Sequence, residues 1–289
     1  MNIIDDLKLQ YKVGGIVIKF IFWNVALFVI PWLIFSILSL VGINIDYMQY
    51  VSLSSNPSQL LWKPWSLVTY AFFHTGIMHI LFNLIVLNFS GRLFMTYFTG
   101  KQLVGLYFLS AIFAGIVYIL VFYILNISAP IIGASAAIMA ILVATTTYNP
   151  LMELRLFIIG NVKLWHVTGV IILVDLMQIR SENMGGHISH LAGAFFGFIF
   201  IKLLQNGTDI SKFVSSFIDF FTNLFRKQKT TPFKKVHKNY NKPVEKTVSK
   251  IITKDKSQQQ IDEILDKISQ SGYDSLNKEE KEFLFRVGK

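Results

Sequence analysis

The sequence predicts an all-α membrane protein with six transmembrane helices and a short helical cytoplasmic tail. Hydrophobic residues make up 53% of the 289 residues and charged residues 15%, and most of the charged residues lie in the last third of the chain. Uncharged apolar runs of about 18 residues or more are typical of membrane spans. Basic residues also favour alternate loops, as expected when cytoplasmic loops carry more Lys and Arg. These observations exclude an ordinary soluble domain.

Six apolar segments carry the predicted spans. They are Val17–Val41, Met78–Tyr97, Leu103–Leu125, Ala134–Tyr148, Val162–Met177 and Gly185–Leu204. If the N-terminus lies inside, the cytoplasmic loops hold Arg92, Lys101, Arg155 and Lys163, and the basic tail follows the last span on the same side. The sequence therefore predicts a multi-pass protein of the cell membrane with both termini in the cytoplasm.

The chain is predicted to have four parts. They are a six-helix membrane domain (1–204), an amphipathic helix at the inner interface (205–226), a basic flexible linker (227–256) and a small helical hairpin (257–289). Residues 226–256 contain eleven basic and two acidic residues. Nucleic acid is one possible partner for such a run, but attraction to anionic lipid headgroups is favoured next to a membrane. The lipid bilayer is therefore the predicted partner of this run, and nucleic acid is not.

Two signals define the hairpin of the tail. Gly272 ends a helix whose apolar stripe includes Ile264 and Ile268. Asn277 and Glu280 then have the spacing of a capping box at the start of a second helix. The sequence predicts a docking or regulatory role for this hairpin rather than a catalytic one.

The fourth span is short for a membrane helix. Ala134–Tyr148 would be about 22 Å long at 1.5 Å per residue, whereas the hydrocarbon core is about 30 Å thick. We therefore expect the helix to begin below the outer surface, with Ser135 at its start. Free backbone N–H groups and the positive end of the helix dipole would favour a developing oxyanion there. The alternative is that Gly133–Ala136 only allows close helix packing, which is the commoner role of small residues.

The sixth span begins with a histidine and continues with two glycines. Gly193 and Gly197 are four residues apart and give the helix a flat face that allows close approach to a neighbour. If that neighbour is the fourth span, His190 meets Ser135 and can accept its proton. The alternative is a histidine that is hydrogen-bonded only for packing. His187, one turn earlier, is the second candidate for the same role.

Further polar residues lie near the second and fifth spans. His79 and Asn83 are one helical turn apart and can both donate hydrogen bonds to an oxyanion, whereas His74, in the preceding loop, is a weaker candidate. The histidines could suggest a metal, but the sequence has no H-E-x-x-H motif and no carboxylate near them, so no metal or other cofactor is expected. Asp175 is interpreted as structural, capping the outer end of its helix.

The segments that carry these residues resemble the rhomboid family of intramembrane serine proteases. The resemblance runs from Trp62 to Leu203 and includes WKPWSLVTYAFFHTGIMHILFN, IIGASAAIMA and SHLAGAFFGF, in family order on spans two, four and six. It implies Ser135 as nucleophile and His190 as general base, a dyad without aspartate. It also implies an oxyanion hole made of His79, Asn83 and the Ser135 backbone amide. Transmembrane proteins would be the substrates, entering past the fifth span and cut near the outer face.

Two positions depart from the family pattern. Ala136 replaces the usual glycine after the serine, and Lys63 replaces the usual arginine of the outer loop, which weakens a bidentate contact. A rhomboid-like protein that binds transmembrane clients without cutting them is the main alternative, although such proteins usually lack the serine or the histidine. A transporter is disfavoured because the sequence shows no inverted hydropathy repeat. Nothing in the sequence indicates an oligomeric state.

Overall fold

The computed structural model describes residues 2–156, 160–180, 183–224 and 248–287. The chain divides into two compact units, Met1–Lys227 and Gln228–Lys289. The α-helices of the described residues are α1 (Ile3–Val13), α2 (Ile16–Leu40), α3 (Met48–Val51), α4 (Pro57–Trp62), α5 (Ser66–Thr69), α6 (Ile77–Met95), α7 (Gly100–Ile124), α8 (Ser135–Tyr148), α9 (Leu164–Gln178), α10 (Met184–Gln205), α11 (Ser211–Leu224), α12 (Val248–Ser271) and α13 (Lys278–Val287). The strands are β1 (Leu53–Ser54), β2 (Pro130–Ile131), β3 (Glu153–Leu156) and β4 (Gly160–Lys163).

Each predicted span corresponds to one helix of the structure. Among the described residues, α2, α6, α7 and α10 are long and apolar enough to cross a membrane, whereas α8 and α9 are apolar but shorter. Helix α7 begins three residues before the predicted Leu103 because Thr99 and Gln102 form a capping box. The Thr99 side chain accepts from the Gln102 N–H, and the Gln102 side chain accepts from the Thr99 N–H. This cap determines that α7 begins at Gly100, whereas hydropathy locates the start of a helix only approximately.

Helix α8 lies at the centre of the first unit and packs against α6, α7, α9 and α10. Ten of its 14 residues, Ala136 to Thr145, are buried. Its closest approach is to α10, where a Cβ on Gly193 would lie 2.0 Å from the Ala136 carbonyl oxygen and a Cβ on Gly197 would lie 2.2 Å from that of Ala140. The predicted close contact between the fourth and sixth spans is therefore confirmed, and only glycine fits at these two positions.

The segment that leads into α8 is held by the long loop after α2. Strands β1 and β2 pair antiparallel, with Leu53 opposite Ile131. The Gly133 N–H donates to the Tyr70 carbonyl oxygen at 2.8 Å. The buried Tyr70 hydroxyl in turn donates to the Ala111 carbonyl oxygen of α7 at 2.7 Å. These bonds satisfy irregular backbone around the start of α8, as an apolar surrounding requires.

A second strand pair connects α8 to α9. In the β3–β4 ladder Leu154 is opposite Val162, and Leu154 is buried while Glu153 and Arg155 are exposed. Gly160 starts β4 with φ +83°, a conformation that favours glycine. Neither strand pair was predicted from the sequence, and the predicted fifth span included Val162, whereas α9 begins at Leu164. Two to four alternating residues are too few for a distinctive strand pattern.

Helix α11 packs along α7 by means of another glycine. A Cβ on Gly105 would lie 2.3 Å from the Ser211 Cβ. The Asp209 carboxylate accepts from the Ser211 N–H at 3.0 Å and so caps the helix start. Lys101 and Asp219 form an exposed ion pair at 3.3 Å. The predicted amphipathic helix is therefore present, and its place at the membrane interface remains a prediction.

The second unit contains α12, a short 3₁₀ segment (Tyr273–Ser275) and α13. Gly272 ends α12 with φ +77°, as the sequence predicted. The Asn277 side chain accepts from the Glu280 N–H, and the Glu280 side chain accepts from the Asn277 N–H, each at 2.8 Å, which confirms the capping box. Residues 227–247 of the predicted linker lie outside the described residues. From Val248 onward the predicted linker is helical, because a run without Gly or Pro continues the helix backward.

Candidate active site

Ser135 is the first residue of the central helix α8. It follows Gly133, whose φ of +135° turns the chain into the helix. Ala134, at the N-cap, makes no side-chain capping bond. The first backbone N–H groups of a helix have no partner within the helix. The start of α8 therefore offers N–H donors, together with the positive end of the helix dipole, beside the serine hydroxyl.

His190 lies directly opposite this serine, on α10. Its Nε2 atom is 2.6 Å from the Ser135 Oγ atom, a hydrogen-bond distance across 55 residues of sequence. The contact is possible because Gly193, less than one turn further along α10, lets the helix backbones meet at Ala136. The structure thus brings together the serine and the histidine that the sequence singled out.

His79 and Asn83 lie on α6 and line the same cavity as Ser135. The His79 ring packs on the glycine before the serine, since a Cβ on Gly133 would lie 2.7 Å from His79 Nε2. Thr75 Oγ1 is 3.2 Å from His79 Nδ1, on the other side of the ring. Asn83 Nδ2 donates to the His79 carbonyl oxygen at 2.9 Å. An amide nitrogen carries two hydrogens, so one N–H of Asn83 remains for a ligand.

The two weaker histidine candidates take different positions. His74 is fully buried in the loop before α6, with its ring centre 5.0 Å from that of His79. Burial lowers the pKa of His74 to about 3, and the neighbouring His79 adds to that shift, so His74 is neutral near pH 7. His187 is buried on α10, and its Nδ1 atom bonds Asp175 rather than Ser135.

Asp175, which the sequence predicted to cap the outer end of its helix, faces the histidines of α10 instead. It does not cap α9, because its Oδ1 atom lies 2.8 Å from His187 Nδ1 and 2.9 Å from His190 Nδ1. The statement that no carboxylate is near the histidines was therefore wrong. The sequence did offer one signal, because an acidic residue at membrane depth is expected to pair with another polar group. Spacing could not supply that partner, because the acid and the histidines lie on different helices.

The cavity at these residues has a volume of about 760 Å³. Helix α6 contributes Met78 and Phe82 to its apolar wall, and α9 contributes Val170 and Val174. Its polar lining residues include Ser135 and His190. An apolar cleft with a few convergent polar groups can hold a peptide segment that is itself largely apolar. The hydroxyl, the imidazole and the N–H donors supply what acyl transfer requires.

Two family models match the chain. The model of the rhomboid domain matches residues 61–206, a stretch of 146 residues in a chain of 289. That stretch includes the serine, the histidines and Asp175. A model described as a family of unknown function (DUF6576) matches residues 252–288, in the second unit. A comparison with curated proteins finds no match. Together with the apolar helices, the first match identifies a multi-pass membrane protein.

Proposed function

We propose that this chain, which belongs to the rhomboid family, is an intramembrane serine endopeptidase that cuts transmembrane proteins near the outer membrane face. The observation that supports this most is the 2.6 Å contact between Ser135 Oγ and His190 Nε2. Ser135 is at the start of a buried helix, and both residues line a cavity whose size suits a peptide segment. A nucleophile and a base within hydrogen-bond reach are the requirement for covalent acyl transfer.

The proposed reaction begins when Ser135 Oγ attacks a peptide carbonyl carbon while His190 Nε2 takes the hydroxyl proton. The tetrahedral intermediate collapses when the C–N bond breaks, and His190 gives its proton to the leaving amine. A water molecule then attacks the acyl-serine ester while His190 accepts its proton. The ester C–O bond breaks, His190 returns the proton to Ser135 Oγ, and the second product leaves with the new carboxyl group. No metal or other cofactor takes part in these steps.

The negative charge on the carbonyl oxygen needs fixed donors. We assign this role to His79, to the free N–H of Asn83 and to the backbone amide of Ser135. All three residues line the cavity around the serine. Donors of this kind contribute strongly in a site that excludes bulk water, and loss of one typically lowers kcat by about 10²–10³.

The membrane arrangement follows from the helix lengths and the loop charges. In this proposal α8 and α9 complete a set of six spans, and both termini lie in the cytoplasm of a cell-membrane protein. The substrate helix enters beside α9, whose Val170 and Val174 form part of the cavity wall. Helix α11 lies in the inner interface, where its apolar face meets acyl chains and the basic run that follows meets anionic headgroups.

The experiment that tests this proposal combines a fluorophosphonate probe with a transmembrane model substrate. Wild-type protein should be labelled and should release cut fragments. Ser135→Ala should lose both properties, because it lacks the nucleophile. Ser110→Ala is the matched control, since Ser110 is a buried serine of α7 whose Oγ donates only to the Tyr107 carbonyl oxygen. The control should keep both labelling and cleavage.

Equal behaviour of wild type and Ser135→Ala would contradict the proposal. If folded wild-type protein and Ser135→Ala retain equal amounts of intact substrate and neither reacts with the probe, the protease proposal fails. Stable capture of the intact substrate by both proteins would support the alternative, a non-catalytic rhomboid-like protein that binds transmembrane clients.

A further inference from the structure

Asp175 joins the two histidines of α10 through a single oxygen. Its side chain is 7% exposed, and its Oδ1 atom lies within hydrogen-bond distance of Nδ1 of both His187 and His190. Among the described residues its other oxygen, Oδ2, is buried and has no hydrogen-bond partner. An ionised carboxylate can only accept hydrogen bonds, so each ring nitrogen that faces it must carry the proton.

This arrangement selects one tautomer of His190. If Nδ1 carries a proton for Asp175, the neutral ring has a bare Nε2. That Nε2 atom is the one that lies 2.6 Å from Ser135 Oγ. The serine hydroxyl is then the donor of this bond, and its proton already points at the atom that must accept it. The other tautomer would place an N–H opposite the hydroxyl and could not act as a base.

We propose that Asp175 is a positioning residue that holds His190 as the Nδ1–H tautomer and aims its Nε2 at Ser135. The site thereby works as a triad of serine, histidine and an orienting aspartate rather than as the two-residue dyad that the family resemblance implied. This inference rests on the proposed protease function. His187 contacts the same carboxylate oxygen, and its ring centre lies 5.9 Å from that of His190. The carboxylate is therefore fixed by two donors.

The same three residues could be taken for a metal site, since their ligand atoms lie within 4.8 Å of one another. The individual distances favour protons instead. Zinc bound tetrahedrally at about 2.0–2.1 Å keeps its ligand atoms about 3.3 Å apart. Here the oxygen–nitrogen distances are 2.8 and 2.9 Å, which are the lengths of N–H···O bonds to a charged acceptor.

The unpartnered Oδ2 atom also favours a functional role. A buried polar atom without a partner is costly, so its presence calls for an explanation, of which a catalytic role is one. A carboxylate that served only to join α9 to α10 could be replaced by packed apolar side chains. We therefore attribute the presence of this acid to the histidine that it orients.

The test uses the full-length protein labelled with ¹⁵N-histidine, because ¹⁵N shifts distinguish the tautomers of a neutral ring. The His190 signal is identified by its absence from the His190→Gln spectrum. Wild-type protein should show His190 protonated at Nδ1. Asp175→Asn should show a population protonated at Nε2, because the new amide can donate to Nδ1. In soluble serine proteases the equivalent change lowers kcat by about 10⁴, and here we expect a loss of about 10²–10⁴ in kcat with little change in KM.

Thr168→Val is the matched control. Thr168 is a buried polar residue of the same helix α9, and its Oγ1 atom lies 2.7 Å from Thr146 Oγ1, away from the histidines. This change removes a buried hydrogen bond of α9 and should leave both the tautomer of His190 and kcat as in wild type. An equal loss of kcat in both variants would mean that Asp175 acts only through the stability of α9, which would overturn the proposal.

The wild-type spectrum tests the proposal even if Asp175→Asn does not fold. His190 protonated at Nε2 in the wild type would overturn it at once. If wild-type protein cleaves substrate and folded Asp175→Asn stays within about threefold of its kcat, the positioning role fails while the protease function stands. If wild-type protein neither cleaves nor reacts with the fluorophosphonate probe, the protease function fails, and the spectra still report whether Asp175 sets the tautomer.

Discussion

Helices α2 and α8 are both strongly apolar, yet few residues of α2 and most residues of α8 are buried by the rest of the protein. Helix α2 has 25 residues, of which three are buried by the rest of the protein. Helix α8 has 14 residues, of which ten are buried. Neither helix has a pronounced amphipathic pattern, so hydropathy does not separate the peripheral helix from the central one. The difference lies in the size of the side chains.

Phe and Trp are frequent on α2 and absent from α8, whereas Ala and Thr are frequent on α8. Helix α2 exposes Trp23 and Trp32, whereas α8 contains three alanines before Ile141 and three threonines after Ala144. Lipid tails are as apolar as a protein core, so burial of apolar surface gives little reason for one helix to occupy the centre. Close contact between backbones provides that reason. Small residues on α8 and glycines on α10 permit it.

The strongest test of this comparison is a side chain at the closest helix contact. Gly193→Val should prevent α10 from packing on α8, because its Cβ would lie 2.0 Å from the Ala136 carbonyl oxygen and backbone cannot move aside easily. Overpacking of a core typically costs about 1–3 kcal/mol, and we expect the upper end or more. The free energy of unfolding can be measured by titration with SDS in mixed micelles.

The control for this prediction is Gly169→Val on α9. Among the residues that the structure describes, a Cβ on Gly169 meets nothing within 4 Å. Valine is tolerated in membrane helices, so this change should leave both stability and substrate cleavage close to wild type. Equal destabilisation by the two changes would show that valine itself, and not the contact between α8 and α10, is responsible.

A second test removes the same atoms from both helices. Ile141 of α8 is 0% exposed and Ile37 of α2 is 62% exposed. Ile141→Ala should cost about 2–5 kcal/mol, because it leaves a cavity in a closely packed centre. Ile37→Ala should change the free energy of unfolding by no more than about 0.5 kcal/mol, since lipid fills the space. Similar losses in the same SDS titration would contradict the distinction between the two helices.

The sequence predicted the helices well and their connections poorly. Long apolar runs located α2, α6, α7 and α10, and the two glycines of α10 correctly indicated that it approaches a neighbouring helix closely. The β1–β2 and β3–β4 pairs were missed. The first joins Leu53 to Ile131, and no local pattern can reveal a pairing between such distant segments. The helical start of α12 at Val248 was also missed, because a lysine-rich composition resembles that of a linker.

The candidate site was likewise predicted only where a local sequence pattern marked its residues. Ser135 and His190 were recognisable because each lies in a motif of small residues, and His79 with Asn83 because they share a helix face. Asp175 has no motif, and nothing in the sequence fixes which way it faces on α9. Its contacts follow from the rotation of α9 against α10, which depends on packing along the whole helix pair. A polar group at membrane depth was a signal for function, but its partner could be found only in three dimensions.

The smallest predicted effect concerns the polar contact that α8 makes with α9. Thr146 Oγ1 is 2.9 Å from the Leu142 carbonyl oxygen and 2.7 Å from Thr168 Oγ1, whereas the Thr147 hydroxyl bonds only the Val143 carbonyl oxygen of its own helix. Hydrogen bonds between membrane helices contribute about 0.6 kcal/mol on average. Thr146→Val should therefore lower the free energy of unfolding by about that amount relative to Thr147→Val. A loss as large as that of Ile141→Ala would mean that polar bonds, and not close packing, hold α8 at the centre.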